Sequence, residues 1–504
     1  TVHVTEDATY RYWDNWLTTG EVPHLFRLDL ATGDLRDLTP DSTRWWNWPN
    51  TDDPLHSFDI SPDGTRIAFS ADRSRPPHRH LRRGLFLLNL ITGEEADLTP
   101  DGVPNAWRPR FSPDGAEVAF GIQMVPDFYG DRVRLATLDV QGGGHRVLTE
   151  AWDRSVDQWE YQSDGSIVMT AEEEGLTKLF RLDPRSDPPT PEAWAEGGTI
   201  TGPQVAEDGS VYVLHHSLTQ PPEVARVEPD GILQTVTDFA RSLVAGVGWG
   251  VVESLVVPGA DMEPVQFFLI HPPGQTARRA PFVHLIHGGP HAMFGDAWAW
   301  RWHAQTFAAQ GYLVAMVNFH GSTSFGQEFV TSIHGAWGDK PYRDIEAVTD
   351  FLIGQGIVDE QKMAVAGGSY GGYLTAFVTS QTDRYACAVA HAAVTNLGGM
   401  YASDLTAGRV LAYGAEVFDD RSRVERYSPS SHAAGYATPT LVVTGEKDYR
   451  VPITQGLELY GVLKAKEVPA RLLFYPGENH WILSPQASLH WYSEVLRWLD
   501  LYLR

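Results

Sequence analysis

A single cysteine in 504 residues leaves this chain no means of forming an internal disulfide. That excludes the small cross-linked secreted scaffolds, and Cys387, set in the apolar run YACAVAHAAV, is expected to be a small buried hydrophobe on a strand. Basic residues are also in deficit. The 39 Lys and Arg stand against 64 Asp and Glu, a formal charge of −25 that repels nucleic-acid phosphates and anionic membrane surfaces, so neither is expected as a partner. Long apolar runs are lacking too: all break well short of a bilayer span, and the first residues, TVHVTEDATY, hold neither the basic leader nor the apolar core of a signal peptide. These shortages lead to the expectation of a cytoplasmic protein. The chain opens on Thr rather than Met, which leads to the expectation of a trimmed form or a part of a longer product. Apolar material, by contrast, is ample: 42% of residues, enough for two well-packed domains.

The first half repeats itself. LFRLDLATGDLRDLTPD (25–41) returns as LFLLNLITGEEADLTPD (85–101), then more loosely at 133–150 and 179–185. Between these lies a second unit, FDISPDGTRIAFSAD (58–72), which returns at 109–122, 159–173 and 203–217. Its Asp-Gly turns at 63, 114, 164 and 208 are 51, 50 and 44 residues apart. Each period holds two hairpins of alternating apolar strands, hence four strands per unit, which is the pattern of β-propeller blades. Four blades and a partial one at the N-terminus are visible, about five in all and an incomplete set. The basic loop DRSRPPHRHLRRG (72–84) and the aromatic loop STRWWNWPNTDD (42–53) are expected to share one rim. Arg73, Arg75, Arg79, Arg82 and Arg83 form an unusual cluster for so acidic a chain: a solvated loop, or an anchor for a substrate carboxylate.

After about residue 245 the rhythm changes, dividing the chain into a propeller over 1–245 and a second domain over 246–504. Apolar runs at 265–271, 282–288, 313–319, 363–367, 386–392, 440–445 and 470–475 alternate with amphipathic segments such as WRWHAQTFAAQG and YRDIEAVTDFLIGQG. That alternation predicts a mostly parallel sheet with helices on both faces, whose chemistry belongs at the carboxyl ends of the strands. There VAGGSYGGY (365–373) places one hydroxyl, Ser369, among four glycines between a strand and a helix, a candidate nucleophile elbow. Asp448 follows the strand TLVVTG and His480 follows ARLLFY, so Ser, Asp and His come in the chain order of α/β-hydrolases. In HLIHGGPHA, Gly288 and Gly289 directly follow a strand; with the Tyr370 amide at the head of the elbow helix they can supply oxyanion donors. A metal reading of His287 and His291 is weak, because no third ligand has suitable spacing.

The motifs HGGPHA (287–292), NFHGSTSFGQEF (318–329), WGDKPYRDI (337–345), GGSYGGY (367–373), TGEKDYRVP (444–452) and GENHW (477–481) resemble those of the prolyl oligopeptidase family of serine peptidases, most of all its acylaminoacyl-peptidase branch. The resemblance covers the C-terminal half, and the N-terminal half only through generic propeller repeats. It implies an α/β-hydrolase catalytic domain with Ser369 as nucleophile, Asp448 and His480 as its partners, and the amides of Gly289 and Tyr370 as oxyanion hole. It also implies short peptide substrates, limited in size by a propeller over the site, and no metal or organic cofactor. Family propellers generally have seven blades, so the open edge here leads to the expectation of a homo-oligomer or of association with a missing N-terminal segment. A carboxypeptidase or dipeptidyl-peptidase on the same scaffold, and a carboxylesterase with the same triad, stay open.

Overall fold

The computed structural model describes residues 2–45, 57–80, 82–99, 105–274 and 279–504. Most of the aromatic loop at 42–53 lies outside the described residues. Internal contacts divide the chain into two compact units: Thr1–Glu172, Thr177–Leu214 and Val224–Thr235; and Glu173–Leu176, His215–Glu223 and Val236–Arg504.

The N-terminal repeats fold as β-propeller blades. Four successive sets of four antiparallel strands run from Phe58–Ile60 to Glu95–Asp97, from Asn105–Phe111 to His145–Val147, from Val156–Tyr161 to Glu192–Ala195, and from Thr199–Val205 to Leu233–Thr235. Ahead of them two short hairpins are formed, Arg11–Tyr12 with Asn15–Trp16 and Phe26–Leu28 with Leu35–Asp37. The repeated Asp-Gly has a physical cause. The carboxylates of Asp63, Asp114, Asp164 and Asp208 each accept the amide two residues on, at 2.9–3.0 Å. Each following glycine, Gly64, Gly115, Gly165 and Gly209, takes a φ between 67° and 85° that a side chain would resist. Hydrogen bonding holds the pKa of all four aspartates below the usual carboxylate range.

In the second unit eight strands form one sheet: β1 (Val252–Pro258), β2 (Pro264–Ile270), β3 (Ala280–Ile286), β4 (Leu313–Asn318), β5 (Val358–Gly368), β6 (Cys387–His391), β7 (Thr440–Gly445) and β8 (Ala470–Tyr475). Their order is β1-β2-β4-β3-β5-β6-β7-β8, antiparallel between β1, β2 and β4 and parallel from there on. This is the α/β-hydrolase arrangement. Alternate residues divide between its faces, as a pleated strand requires. Val265, Phe267 and Leu269 pack with Ile345, Val348, Leu374 and Val378, from the helices Lys340–Gly354 and Tyr370–Gln381. Phe268 and Ile270 pack with Phe307, Trp491, Val495 and Leu499, from the helices Ala304–Ala308 and Pro485–Leu503.

The sequence reading leaves out one strand and overextends one helix. Strand β1 carries no continuous apolar run, because as an edge strand it is only partly covered and leaves Val256 61% exposed. The segment WRWHAQTFAAQG is helical only over Ala304–Ala308: Trp302 takes a left-handed φ of 55°, and His303 caps the helix by accepting the Gln305 amide at its Nδ1. Among the described residues no helix is long and apolar enough to cross a membrane.

Candidate active site

Strand β5 ends at Gly368 and the helix starts at Tyr370, so Ser369 alone makes the turn between them. Its backbone, φ 61° and ψ −121°, is one that a residue with a side chain holds only when its surroundings enforce it. The strain therefore sits on the serine itself. The neighbouring glycines serve close approach instead. A Cβ on Gly371 would overlap the Ile286 carbonyl oxygen, one on Gly372 the His391 carbonyl oxygen, and one on Gly367 would stand 2.6 Å from the Gly371 carbonyl carbon.

Opposite the elbow runs the loop after β3. A Cβ on Gly288 would lie 3.3 Å from the Ser369 Cβ and 3.8 Å from its Oγ, so the backbone of this loop faces the serine directly. Gly289 follows with φ 118°, open only to glycine. Two histidines fix the loop. The Gly288 carbonyl can only accept, so His287 Nδ1 donates to it at 2.7 Å, and Nε2 lies 2.9 Å from the Ser322 hydroxyl oxygen, whose own proton goes to the Phe319 carbonyl at 2.7 Å. His291 Nδ1 donates to the Gly321 carbonyl at 2.9 Å. Burial lowers the pKa of both rings to about 4, so each is neutral at pH 7. Their imidazoles are thus committed to holding the loop.

Beyond β7, the buried Asp448 accepts from His480 Nδ1 at 2.6 Å with Oδ2 and from the Val451 amide at 2.8 Å with Oδ1. The loops bearing these two residues are joined: Lys447 donates its amide to the Glu478 carbonyl at 2.9 Å, and Gly477 donates its amide to Glu446 at 2.9 Å. Gly445 lies so close to the second loop that a Cβ would overlap the Asn479 carbonyl oxygen.

One residue that the sequence reading passed over bonds to the backbone of two triad residues, Ser369 and His480. His391 ends β6, in register with Gly368 on one side and Val443 on the other. Its carbonyl accepts the Ser369 amide at 3.0 Å. The indole of Trp491 can only donate, and it bonds His391 Nδ1 at 3.1 Å, so the ring proton is on Nε2 and points to the His480 carbonyl 3.2 Å away. Burial, then the nearby His480 and Arg301, pull the His391 pKa down to about 3, so this tautomer persists across neutral pH. A histidine at the end of an apolar run was the available sequence signal; its partner lay a hundred residues away on a helix.

The arginine cluster falls in the first unit. Arg73 bonds the Thr99 carbonyl and lies 3.6 Å from Asp97; Arg82 pairs with Asp127 at 2.7 Å; Arg83 lies over Trp107. Arg75 and Arg79 are exposed. Three members of the cluster are thus already engaged within their own unit.

Comparison with known proteins gives a consistent picture. Residues 298–504 match the model of the prolyl oligopeptidase family. A dipeptidyl-peptidase 5 of Aspergillus fumigatus is 27% identical over 539 aligned residues, covering 98% of this chain and 73% of that protein. The Schizosaccharomyces pombe dipeptidyl-peptidase 5 is 27% identical, covering 100% of this chain and 75% of its own. Among solved structures, a Pyrococcus horikoshii acylaminoacyl peptidase superposes with a TM-score of 0.83 at 20% identity, over 100% of this chain and 78% of that one. A puromycin-hydrolysing peptidase of Mycobacterium tuberculosis gives 0.71 at 20% identity, over 98% and 84%.

Proposed function

With a prolyl oligopeptidase family domain over residues 298–504 as premise, we propose that this chain is a serine peptidase that cuts short peptides through an acyl-enzyme on Ser369, in the manner of an acylaminoacyl peptidase. Ser369 attacks the scissile carbonyl while His480 takes its proton at Nε2, the nitrogen left over once Nδ1 is held by Asp448. Asp448 keeps that tautomer and stabilises the imidazolium that forms. The oxyanion meets the amides of Gly289 and Tyr370, preorganised donors worth about 3 kcal/mol each in reactions of this class. His480 then protonates the departing amine, and water repeats the sequence on the acyl-enzyme. The observation that carries the reading is the φ of 61° at Ser369. A strained backbone costing ~1–3 kcal/mol is maintained at the one hydroxyl that stands against the glycine loop and precedes the Asp448–His480 pair in hydrolase order.

The acyl preference is supported by the likeness to the acylaminoacyl peptidase structure. The relatives named dipeptidyl-peptidase 5 favour a second reading, release of two residues from a free N-terminus. Three peptides of one core sequence test these, N-acetylated, free at both ends and C-amidated. The proposal expects the acetylated peptide to lose its first residue. Release of an N-terminal dipeptide from the free peptide moves the assignment to a dipeptidyl-peptidase, and cutting of esters alone to a carboxylesterase. A carboxylate anchor at Arg75 and Arg79 remains part of the carboxypeptidase alternative. Cytoplasmic residence, supported by the single buried Cys387, is proposed along with it and is read by cell fractionation. Oligomerisation through an open blade edge is read by light scattering.

A further inference from the structure

We propose that Arg301 is a carboxylate anchor on the leaving-group side of Ser369, so that the preferred substrates are peptides whose departing part ends in a free carboxylate close to the cut. The proposal rests on the peptidase reading and names the substrate class of that same site.

Position is the first ground. The Arg301 guanidinium lies 4.7 Å from the ring centre of Trp481, the residue that follows His480. Its chain neighbour Trp302 reaches the other side of the site: its Nε1 lies 3.4 Å from where a Gly368 Cβ would stand, and its ring centre is 6.0 Å from that of His391. Trp302 does this with φ 55°, a conformation a bulky residue keeps only under constraint. Arg301 is therefore held between the nucleophile elbow and the histidine loop. Since His480 must face the departing nitrogen, a cation beyond the next ring in the chain meets what lies beyond that nitrogen.

Charge is the second ground. Arg343, Arg384, Arg450 and Arg471, other arginines of the same unit, each face a carboxylate at 2.6–2.9 Å. Arg301 makes neither an ion pair nor a hydrogen bond among the described residues, in a chain with 64 acidic side chains. Stacking on an indole occupies the face of a guanidinium and leaves its N–H fork open at the edge, the geometry that receives a carboxylate with two bonds. Although the residue is exposed, its surroundings hold back enough water to lower its pKa. A cation that has already lost hydration gives up less when a counter-charge arrives.

The test compares wild type, Arg301→Met and Arg301→Lys on an N-acetylated dipeptide, its C-terminal amide, and an N-acetylamino acid p-nitroanilide whose leaving group has no carboxylate. Wild type should prefer the acid to the amide. Arg301→Met should lose about 10- to 100-fold in kcat/KM on the acid, the worth of one hydrogen bond to a charged group, and less than about threefold on the amide and anilide. Arg301→Lys should recover only part, having charge without the fork. Equal losses on acid and amide, or no preference in wild type, overturn the proposal. A preference that follows an acyl-side carboxylate overturns it as well. Failure of the peptidase reading is seen separately, as hydrolysis that survives Ser369→Ala. In that case the anchor is read by protection of Ser369 from a fluorophosphonate by free amino acids, which stand for the departing part of the peptide: protection by the amino acids and not by their amides, lost in Arg301→Met, supports it, and equal protection overturns it.

Discussion

Replacing Asp448 by Asn tests how the triad is wired, because the structure decides which way the amide must turn. Oδ1 of Asp448 accepts the Val451 amide and Oδ2 accepts from His480 Nδ1. Val451 N–H is a donor only, so the side-chain oxygen of the introduced asparagine must stay with it, and the new NH2 group is turned toward His480. A donor there forces Nδ1 to become the acceptor and moves the imidazole proton to Nε2. In that tautomer His480 has no lone pair for the Ser369 proton. The expected loss is in kcat, about ten-thousandfold by analogy with the same exchange in other Ser-His-Asp sites, with KM within about threefold because no substrate contact is removed. Fold stability should change little, since Val451 keeps its acceptor. The assays are steady-state kinetics on the preferred peptide, the rate of Ser369 phosphonylation by a fluorophosphonate, and thermal unfolding. Retention of more than about a tenth of kcat by a folded Asp448→Asn protein would refute the tautomer argument.

Three further outcomes follow from the packing of the site. Gly371→Ala drives a methyl into the Ile286 carbonyl at the base of the elbow; a loss of ~1–3 kcal/mol in stability and slowed phosphonylation of Ser369 are expected, and an unchanged thermal midpoint contradicts the close-approach account. Trp491→Phe keeps the ring but removes the N–H that fixes His391, so kcat should fall about tenfold at unchanged KM, whereas unaltered kcat would reduce His391 to packing. The buried His284, His287 and His391 have pKa values lowered by burial to about 3, 4 and 3. The unfolded chain therefore binds their protons first as pH drops below ~6.5, and stability is lost at about 1.4 kcal/mol per pH unit per histidine. The midpoint of thermal unfolding should be lower at pH 5 than at pH 7, and equality of the two contradicts the burial argument.

The sequence carried the elements whose signal is local. Seven apolar runs became β2 to β8 because a strand covered by helices on both faces has no polar alternation to blur it. The blades were readable because each repeats an Asp-Gly turn whose carboxylate closes its own hydrogen bond. Ser369, Asp448 and His480 could be named because each follows a strand in chain order. What was not legible depends on contacts between distant segments. His391 looked like one more residue of an apolar run until Trp491 fixed its tautomer. His287 and Ser322 meet only through the loops after β3 and β4. Arg301 looked like the polar face of a helix, and the turn at Trp302 that places it over Trp481 has no local signature. The arginines at 73–83 drew attention by composition, whereas Arg73 and Arg82 are already paired with acids.

The central claim is that Ser369 is the nucleophile of a peptidase, and it is tested most directly by cleaving the preferred N-acetylated peptide with wild type and with Ser369→Ala, alongside mass spectrometry of fluorophosphonate-treated protein. The account predicts a single adduct on Ser369 in the wild type, and neither adduct nor cleavage in the variant. Cleavage that persists in Ser369→Ala, or an adduct on another residue that tracks the loss of activity, would contradict it.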